Sequence, residues 1–136
     1  MIAAAWAAMV GMGQSGYLNI AKQVMATTDK LCKGVEQIDG ICLVASPEMT
    51  ALSIKSDENS PNAVSILAVA DAMENSNGCK VERQQLPDSL HLSVLPQHAR
   101  TCDLFLVDLA NAVNHVRTHP ETANQGTTGV YGMVAK

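Results

Sequence analysis

The feature that most constrains the fold is an apolar stripe through residues 17–38. Apolar or small side chains recur there at steps of three and four residues, which is the period of an α-helix with one buried face. The stripe consists of Tyr17, Ile20, Ala21, Val24, Thr28, Leu31, Val35 and Ile38. We therefore expect one long amphipathic helix, which ends at Asp39-Gly40 because glycine accepts a positive φ.

An Ala-rich apolar segment at residues 2–12 precedes this helix. Alanine favours helix, but the segment is too short to cross a bilayer and lacks the basic residues that begin a signal peptide. Gly11, Gly13 and Gly16 follow it, and this spacing predicts a break or a sharp bend. We expect this N-terminal helix to be buried against another part of a larger assembly.

Four short segments have the composition of β-strands. They cover residues 41–45, 50–55, 79–85 and 90–95. The second alternates apolar and polar side chains, as a half-buried strand does, and a Ser-Pro-Glu turn at 46–48 joins it to the first as an antiparallel pair. The third is polar and fits an edge strand, whereas the fourth alternates again.

Two more helices complete the predicted order. Residues 63–75 have apolar side chains at helical spacing, with Asn62 as a candidate N-cap and Gly78 as the stop. Residues 97–117 form the last helix, which His119-Pro120 ends because a residue before proline avoids the helical region. Helices and antiparallel strands mix without repeated βαβ units. This order predicts an α+β domain with helices on one face of a small sheet.

The charge distribution excludes two classes of partner. The net charge is -4, and the nine Lys and Arg residues are scattered. Nucleic-acid binding needs clustered cations, and binding to anionic lipid needs a polybasic segment. The four cysteines, at positions 32, 42, 79 and 102, show no CxxC spacing. We interpret them as small buried hydrophobes in a reducing compartment.

The histidines do not form a self-contained catalytic set. His91 lies in a predicted strand and would need a nucleophile or acid nearby to act as a base, so we interpret it as a half-buried structural residue. His98 opens the last helix beside Arg100 and fits a solvated surface pair. His115 and His119 have a spacing that can bind metal, but no carboxylate or cysteine is placed to join them, and we predict no metal site.

Two glycine-rich segments invite a ligand-binding interpretation. Gly11, Gly13 and Gly16 match the spacing of a dinucleotide fingerprint, but they follow a helical segment instead of a strand, which argues against that function. Residues 126–132 could bring backbone close to a ligand, their threonines can bond phosphate, and Tyr131 offers a hydroxyl. On composition alone, a frayed C-terminus without regular structure is the simpler interpretation of residues 121–136.

Five blocks of sequence occur in the order in which one known family has them. They are residues 2–18, Pro47-Glu-Met-Thr50, Leu86-Pro-Asp-Ser-Leu-His-Leu-Ser-Val-Leu95, Gln97-His-Ala-Arg100 and Thr127-Thr-Gly-Val-Tyr-Gly-Met133. No single block is specific, but together they cover nearly the whole chain, which resembles the C-terminal region of sphingosine-1-phosphate lyases. The resemblance implies the small C-terminal domain of a fold-type I enzyme that uses pyridoxal phosphate (PLP).

The resemblance implies a parent enzyme that cleaves phosphorylated sphingoid bases to a fatty aldehyde and phosphoethanolamine, with PLP as the electron sink. It implies a PLP-binding large domain ahead of this chain and a homodimer whose active sites use both subunits. The family's Schiff-base lysine follows a histidine, and no His-Lys pair occurs here. We therefore expect a C-terminal fragment that is inactive alone, binds no cofactor by itself and carries no catalytic residue.

The same resemblance assigns a place to each part of the chain. Residues 1–16 are the helix and bend that connect to the large domain, 17–120 the small α+β domain, and 121–136 a tail directed at the active site. Tyr131 is the residue expected to contact substrate phosphate. Thr127, Thr128 and Gly129 shape its loop, whereas His91 and His98 match family positions without a catalytic role.

Two alternatives stay open from the sequence. The chain could come from another PLP-dependent amino acid decarboxylase, such as a glutamate decarboxylase-like enzyme, although the Thr-Thr-Gly-Val-Tyr-Gly-Met segment argues against it. It could also be a stand-alone α+β binding or assembly module. We expect the parent protein in the cytoplasm or, in a eukaryote, on the cytosolic face of the endoplasmic reticulum membrane.

Overall fold

The computed structural model describes residues 2–122 of the chain. In chain order the elements are α1 (Ile2–Val35), β1 (Ile41–Leu43), β2 (Ala51–Ser56), α2 (Ile66–Asn77), β3 (Glu82–Gln84), β4 (Ser89–Ser93) and α3 (Cys102–Thr118). Two short 3₁₀ turns, Pro96–Arg100 and Pro120–Thr122, lie on either side of α3. The order of helices and strands agrees with the order predicted from the sequence.

The four strands form one antiparallel sheet in the order β1-β2-β4-β3. Side chains alternate between its faces, and Leu52, Ile54 and Leu90 are buried on the face that the helices cover. Ser53 and His91 lie opposite each other in the register and point to the other face, since both are offset by one residue from that buried set. The predicted α+β class, with helices on one face of a small sheet, is confirmed.

Helix α1 bends at Gly13. That residue has φ 63° and ψ 175°, a combination that is essentially restricted to glycine. Gly11 and Gly16 keep helical backbone angles, so the predicted break falls on one of the three glycines. Beyond the bend, the first buried residue of α1 is Val24, whereas Tyr17 is still 47% exposed.

Several helix ends depart from the predictions: α2 runs from Ile66 to Asn77 instead of 63–75, and α3 begins at Cys102 instead of residue 97. Helix α1 ends at Val35, not at residue 38, since its last backbone bonds tighten: the Gln37 amide donates to the Gly34 carbonyl at 3.2 Å. Ser65 caps α2, its hydroxyl accepting from the Ala68 amide at 3.4 Å, so the assignment of Asn62 as N-cap was wrong. The Asn62 side-chain amide donates instead to the Asp39 carboxylate, in the loop between α1 and β1.

The core lies between the sheet and the three helices. Its largest fully buried side chains are Ile54, Met73, Leu90, Leu109, Val35, Val69, Val113 and Thr28. The four cysteines are free thiols, Cys102 buried and the other three half-buried. No helix within residues 2–122 has the length and apolar character that crossing a membrane requires.

Candidate functional site

The first half of α1 presents an apolar surface to solvent, which we call the N-terminal apolar face. It comprises Ile2, Trp6, Met9, Val10, Met12, Tyr17 and Leu18. Ile2 is 89% exposed and Trp6 is 63% exposed. Contiguous apolar surface of this kind on a folded domain marks an interaction surface.

His91 lies on the open face of the sheet with two polar neighbours. In the register Ser53 of β2 and Glu82 of β3 lie on either side of it, and its Nδ1 is 3.2 Å from Glu82 Oε2. The order serine, histidine and carboxylate resembles a nucleophile triad. However, the Ser53 hydroxyl donates to Gln84 Oε1 at 3.4 Å, so the nucleophile-to-base contact that such chemistry needs is not made. His91 acts here as a half-buried cross-strand residue, as the sequence predicts.

Sequence reasoning missed Ser53 and Glu82 as partners of His91. The signal existed in principle, since residues on one face of a sheet follow a period of two along each strand. Identifying these two residues as neighbours of His91 also required the pairing of β4 with both β2 and β3, which the sequence does not give.

His98 has a structural role at the turn before α3. The Leu95 amide donates to its Nδ1 at 3.0 Å, so the ring closes the first turn of residues Pro96–Arg100. The side chain is half-buried and does not open a regular α-helix, because that segment is a 3₁₀ turn.

His115 and His119 stack at the C-terminus of α3, with ring centroids 4.3 Å apart. Helix α3 ends at Thr118, so His119 lies just beyond it, as predicted. Its Nδ1 is 3.0 Å from the His115 carbonyl oxygen and also 3.0 Å from the Thr118 hydroxyl. The pair therefore works as a local C-terminal cap.

The lysines within residues 2–122 lie on α1, in β2 and before β3. Lys30 bonds to Asp103 at 2.7 Å, and this contact raises the pKa of its amine, which keeps it charged and non-nucleophilic. Lys80 pairs with Glu74 at 3.2 Å on the surface. Lys55 lies in β2, and Lys22 and Lys33 are exposed on α1.

Three of the four thiols are poor nucleophiles. Burial raises the pKa of Cys32, of Cys42 and of Cys79, so each stays protonated at neutral pH and is a poor nucleophile. Cys79 and Cys102 both line an apolar groove of about 520 Å³ between β4 and α3.

A polar cleft of about 730 Å³ lies where α2, α3 and β3 meet. We call it the Arg83 cleft. Arg83 Nη2 donates to Asp71 Oδ1 at 2.6 Å and to Glu74 Oε2 at 3.3 Å, which ties β3 to α2. Hydrogen bonds from Lys80 and Arg83 lower the pKa of Glu74, so this carboxylate is ionised at neutral pH. The opposite wall carries Asn111 and His115, and Thr122 completes the lining.

Tyr131, the one residue predicted to contact substrate, lies outside the described residues. The same holds for Thr127, Thr128 and Gly129. Their assignment therefore stays a prediction.

Comparison with known proteins identifies what this domain resembles. No protein-family model matches the chain. A sphingosine-1-phosphate lyase of Oryza sativa subsp. japonica is 35% identical over 136 residues, which is 100% of this chain and 24% of that protein. The match lies in the C-terminal part of the rice protein. The chain thus spans about a quarter of the length of the curated relatives it matches.

Solved structures give the same result. The sphingosine-1-phosphate lyase of Burkholderia pseudomallei superimposes with a TM-score of 0.75 at 29% identity, covering 91% of this chain and 27% of that one. Mouse CSAD superimposes with a TM-score of 0.62 over 79% of this chain and 26% of its own; at 18% identity this likeness shows the fold alone. The resemblance predicted from the ordered sequence blocks is confirmed.

Proposed function

We propose that this chain is the C-terminal part of a PLP-dependent lyase that cleaves phosphorylated sphingoid bases to a fatty aldehyde and phosphoethanolamine. The observation that carries the proposal is the match to sphingosine-1-phosphate lyases over the whole chain in sequence, together with the fold shared with the Burkholderia enzyme. The protein would work in the cytoplasm or, in a eukaryote, at the cytosolic face of the endoplasmic reticulum membrane.

The domain contributes packing surface to such an enzyme. The curated relatives extend well beyond the quarter that this chain matches, and the N-terminal apolar face of this chain is exposed. Burying exposed apolar side chains of this size stabilises by roughly 1.5–3 kcal/mol for each one fully covered. We therefore assign that face to contact with a PLP-binding large domain, and we expect the whole enzyme to be a homodimer.

PLP would supply the electron sink for cleavage of the carbon–carbon bond. The described lysines do not form its Schiff base, so the large domain would supply the lysine. The division of the chain into residues 1–16, 17–120 and 121–136 assigns the last segment to the substrate side.

Tyr131 is the residue of this chain that we propose to contact substrate, donating its hydroxyl to the phosphate. A hydrogen bond to a charged group is worth about 1.5–3 kcal/mol. Its loss would lower kcat/KM roughly 10- to 100-fold.

The proposal is tested in a chimera in which residues 1–136 replace the C-terminal quarter of the rice relative. Release of fatty aldehyde and phosphoethanolamine from a phosphorylated sphingoid base is measured. We expect activity in the chimera, a loss of the size given above in Tyr131→Phe, and no loss in Tyr17→Phe, the matched control at the only other tyrosine of the sequence. A soluble, PLP-loaded chimera that forms no aldehyde would refute the proposal.

Two results would favour the alternatives. Release of carbon dioxide from an amino acid by the chimera, without aldehyde formation, would point to a decarboxylase. If the isolated chain is soluble and a partner other than a PLP-binding domain covers the N-terminal apolar face, a stand-alone module would be favoured.

The isolated chain should form no imine with PLP. We expect no visible absorbance band that borohydride reduction fixes onto a lysine, and mass spectrometry of the reduced protein checks this. A reduced adduct on one lysine would contradict the assignment of the Schiff base to the large domain.

A further inference from the structure

The apolar groove of about 520 Å³ between β4 and α3, which we call the Asp108 groove, has the size of a small-molecule site. Sites that bind small molecules have volumes of roughly 300–1,000 Å³ and mostly apolar walls. The apolar lining of this groove consists of Leu31, Val81, Leu92, Val94, Leu104 and Phe105. Leu104 is 65% exposed, so an aliphatic ligand in the groove would cover apolar surface that now faces water.

The charged side chains that line the groove are two carboxylates and one amine. Asp108, on α3, is half-buried and has no hydrogen bond or ion pair within residues 2–122. Glu82 lines the groove from β3, and its Oε2 is 3.2 Å from His91 Nδ1. Lys80, the amine, pairs at 3.2 Å with Glu74, which lies outside the groove. With the histidines counted as neutral, the groove therefore has a net negative charge.

The charge of Asp108 also acts on the wall opposite α3. Two effects raise the pKa of the Cys79 thiol, burial first and then the negative charge of Asp108, and Cys79 lines the groove just before β3. A neutral apolar ligand would leave the Asp108 carboxylate unpaired and further desolvated, which costs free energy. An anionic head group would face both carboxylates, whereas a protonated amine would pair with Asp108 and leave its alkyl chain against the apolar walls.

We propose that the Asp108 groove binds a small cationic amphiphile, an alkylamine whose ammonium group bonds to the Asp108 carboxylate and whose chain lies along the apolar walls. The volume of the groove favours a small molecule over the helix of a partner protein. The inference rests only on residues 31–108 and does not depend on the lyase function proposed above.

The test adds hexylamine, hexanol or hexanoate to the 136-residue chain and follows the backbone amide signals by NMR. We expect hexylamine to shift the signals of residues 79–82, 91–94 and 101–108. Hexanol should bind roughly three- to tenfold more weakly, because it lacks the charge-assisted bond of a half-exposed ion pair, and hexanoate should bind least. Octylamine should bind more tightly than hexylamine, by up to about fourfold for each added methylene group.

Three results would overturn the proposal. One is the absence of binding by hexylamine, and another is equal affinity for the amine, the alcohol and the carboxylate. The third is a set of shifts confined to residues 2–18, which would place the amphiphile on the N-terminal apolar face.

A pair of variants tests the role of the carboxylate. Asp108→Asn should lower the affinity for hexylamine roughly three- to tenfold and leave the affinity for hexanol unchanged. Asp103→Asn is the matched control, because Asp103 lies on the same helix, pairs with Lys30 and lies outside the groove. Equal effects of the two substitutions, or an equal loss of hexanol affinity in Asp108→Asn, would contradict the assignment. Circular dichroism checks the fold of each variant, and the comparison of hexylamine with hexanol on the original chain needs no variant.

Discussion

Gly40, in the loop between α1 and β1, makes the sharpest test of how the fold is held together. Its φ is 94°, a value that L side chains rarely adopt, and a Cβ atom built there would collide with the backbone carbonyl oxygen of Asn62. The loop is also tied by the Arg117 guanidinium, which donates to the Asp39 carbonyl oxygen at 2.7 Å. The Gly40 carbonyl itself accepts from the Asp57 amide at 3.1 Å. A substitution at Gly40 therefore strains the backbone and disturbs neighbouring bonds at once.

We expect Gly40→Ala to destabilise the domain by about 2–6 kcal/mol. Positive φ at a non-glycine residue costs about 1–3 kcal/mol, and overpacking against a backbone atom that cannot rotate away adds about 1–3 kcal/mol. For a chain of this size the melting temperature should fall by roughly 6–20 °C. Urea unfolding followed by circular dichroism, fitted with a common m-value, measures the change.

Gly11→Ala is the matched control. Gly11 lies within α1, and a Cβ atom there meets nothing within 4 Å. Alanine favours helix over glycine by about 1 kcal/mol or less, so this variant should be as stable as the original chain or slightly more so. If Gly40→Ala unfolds within about 0.5 kcal/mol of the original chain, a spread typical of surface substitutions, the account of this loop is wrong.

Three further substitutions probe the core, the loop electrostatics and a helix cap. Leu109→Ala, at a fully buried position of α3, should cost about 2–5 kcal/mol, whereas Leu104→Ala on the same helix, 65% exposed, should stay within about 0.5 kcal/mol in the same urea assay. Hydrogen bonds from Ser60 and Asn62 lower the pKa of Asp39, so its contribution is present above the unfolded-state pKa and is lost as pH falls through the folded one. Asp39→Asn should therefore lower the melting temperature at pH 6, and this difference should shrink as the pH falls below the ordinary aspartate pKa of 3.8; a difference that stays constant as the pH falls would contradict this. Ser65→Ala should cost about 1 kcal/mol through loss of the α2 cap, and an unchanged urea midpoint would reassign that cap.

The elements that could be predicted are those fixed by local periodicity. Spacing of three and four residues located α1, α2 and α3, and alternation located β2 and β4. The prediction of Asn62 as the N-cap was wrong. The Asn62 side chain bonds to the Asp39 carboxylate, which is distant in sequence, and the Ser65 hydroxyl caps the helix instead. A tertiary contact of that kind has no signal in a single sequence.

The polar clusters could not be predicted from the sequence either, because their members meet only through tertiary contacts. Arg83 and Asp71 lie 12 residues apart on different elements, and they meet because the β3–β4 register turns Arg83 toward α2. His91 is half-buried in β4, as the sequence predicted, but its Glu82 partner could be found only from the strand pairing. Motif order, by contrast, led to the sphingosine-1-phosphate lyases that the comparisons also match, because several weak matches in one order are together more specific than any one of them.

The bend at Gly13 links the fold to the proposed function. Residues beyond Val24 build a core with the sheet, whereas residues 2–18 turn away from that core and keep Trp6 and Ile2 in water. An uninterrupted helix would continue straight past the bend, and alanine at Gly13 could hold the present angles only with strain. The glycine at position 13 thus permits a bend that directs an apolar helix away from its own domain. We expect such an arrangement to stabilise the protein only where another surface covers that helix.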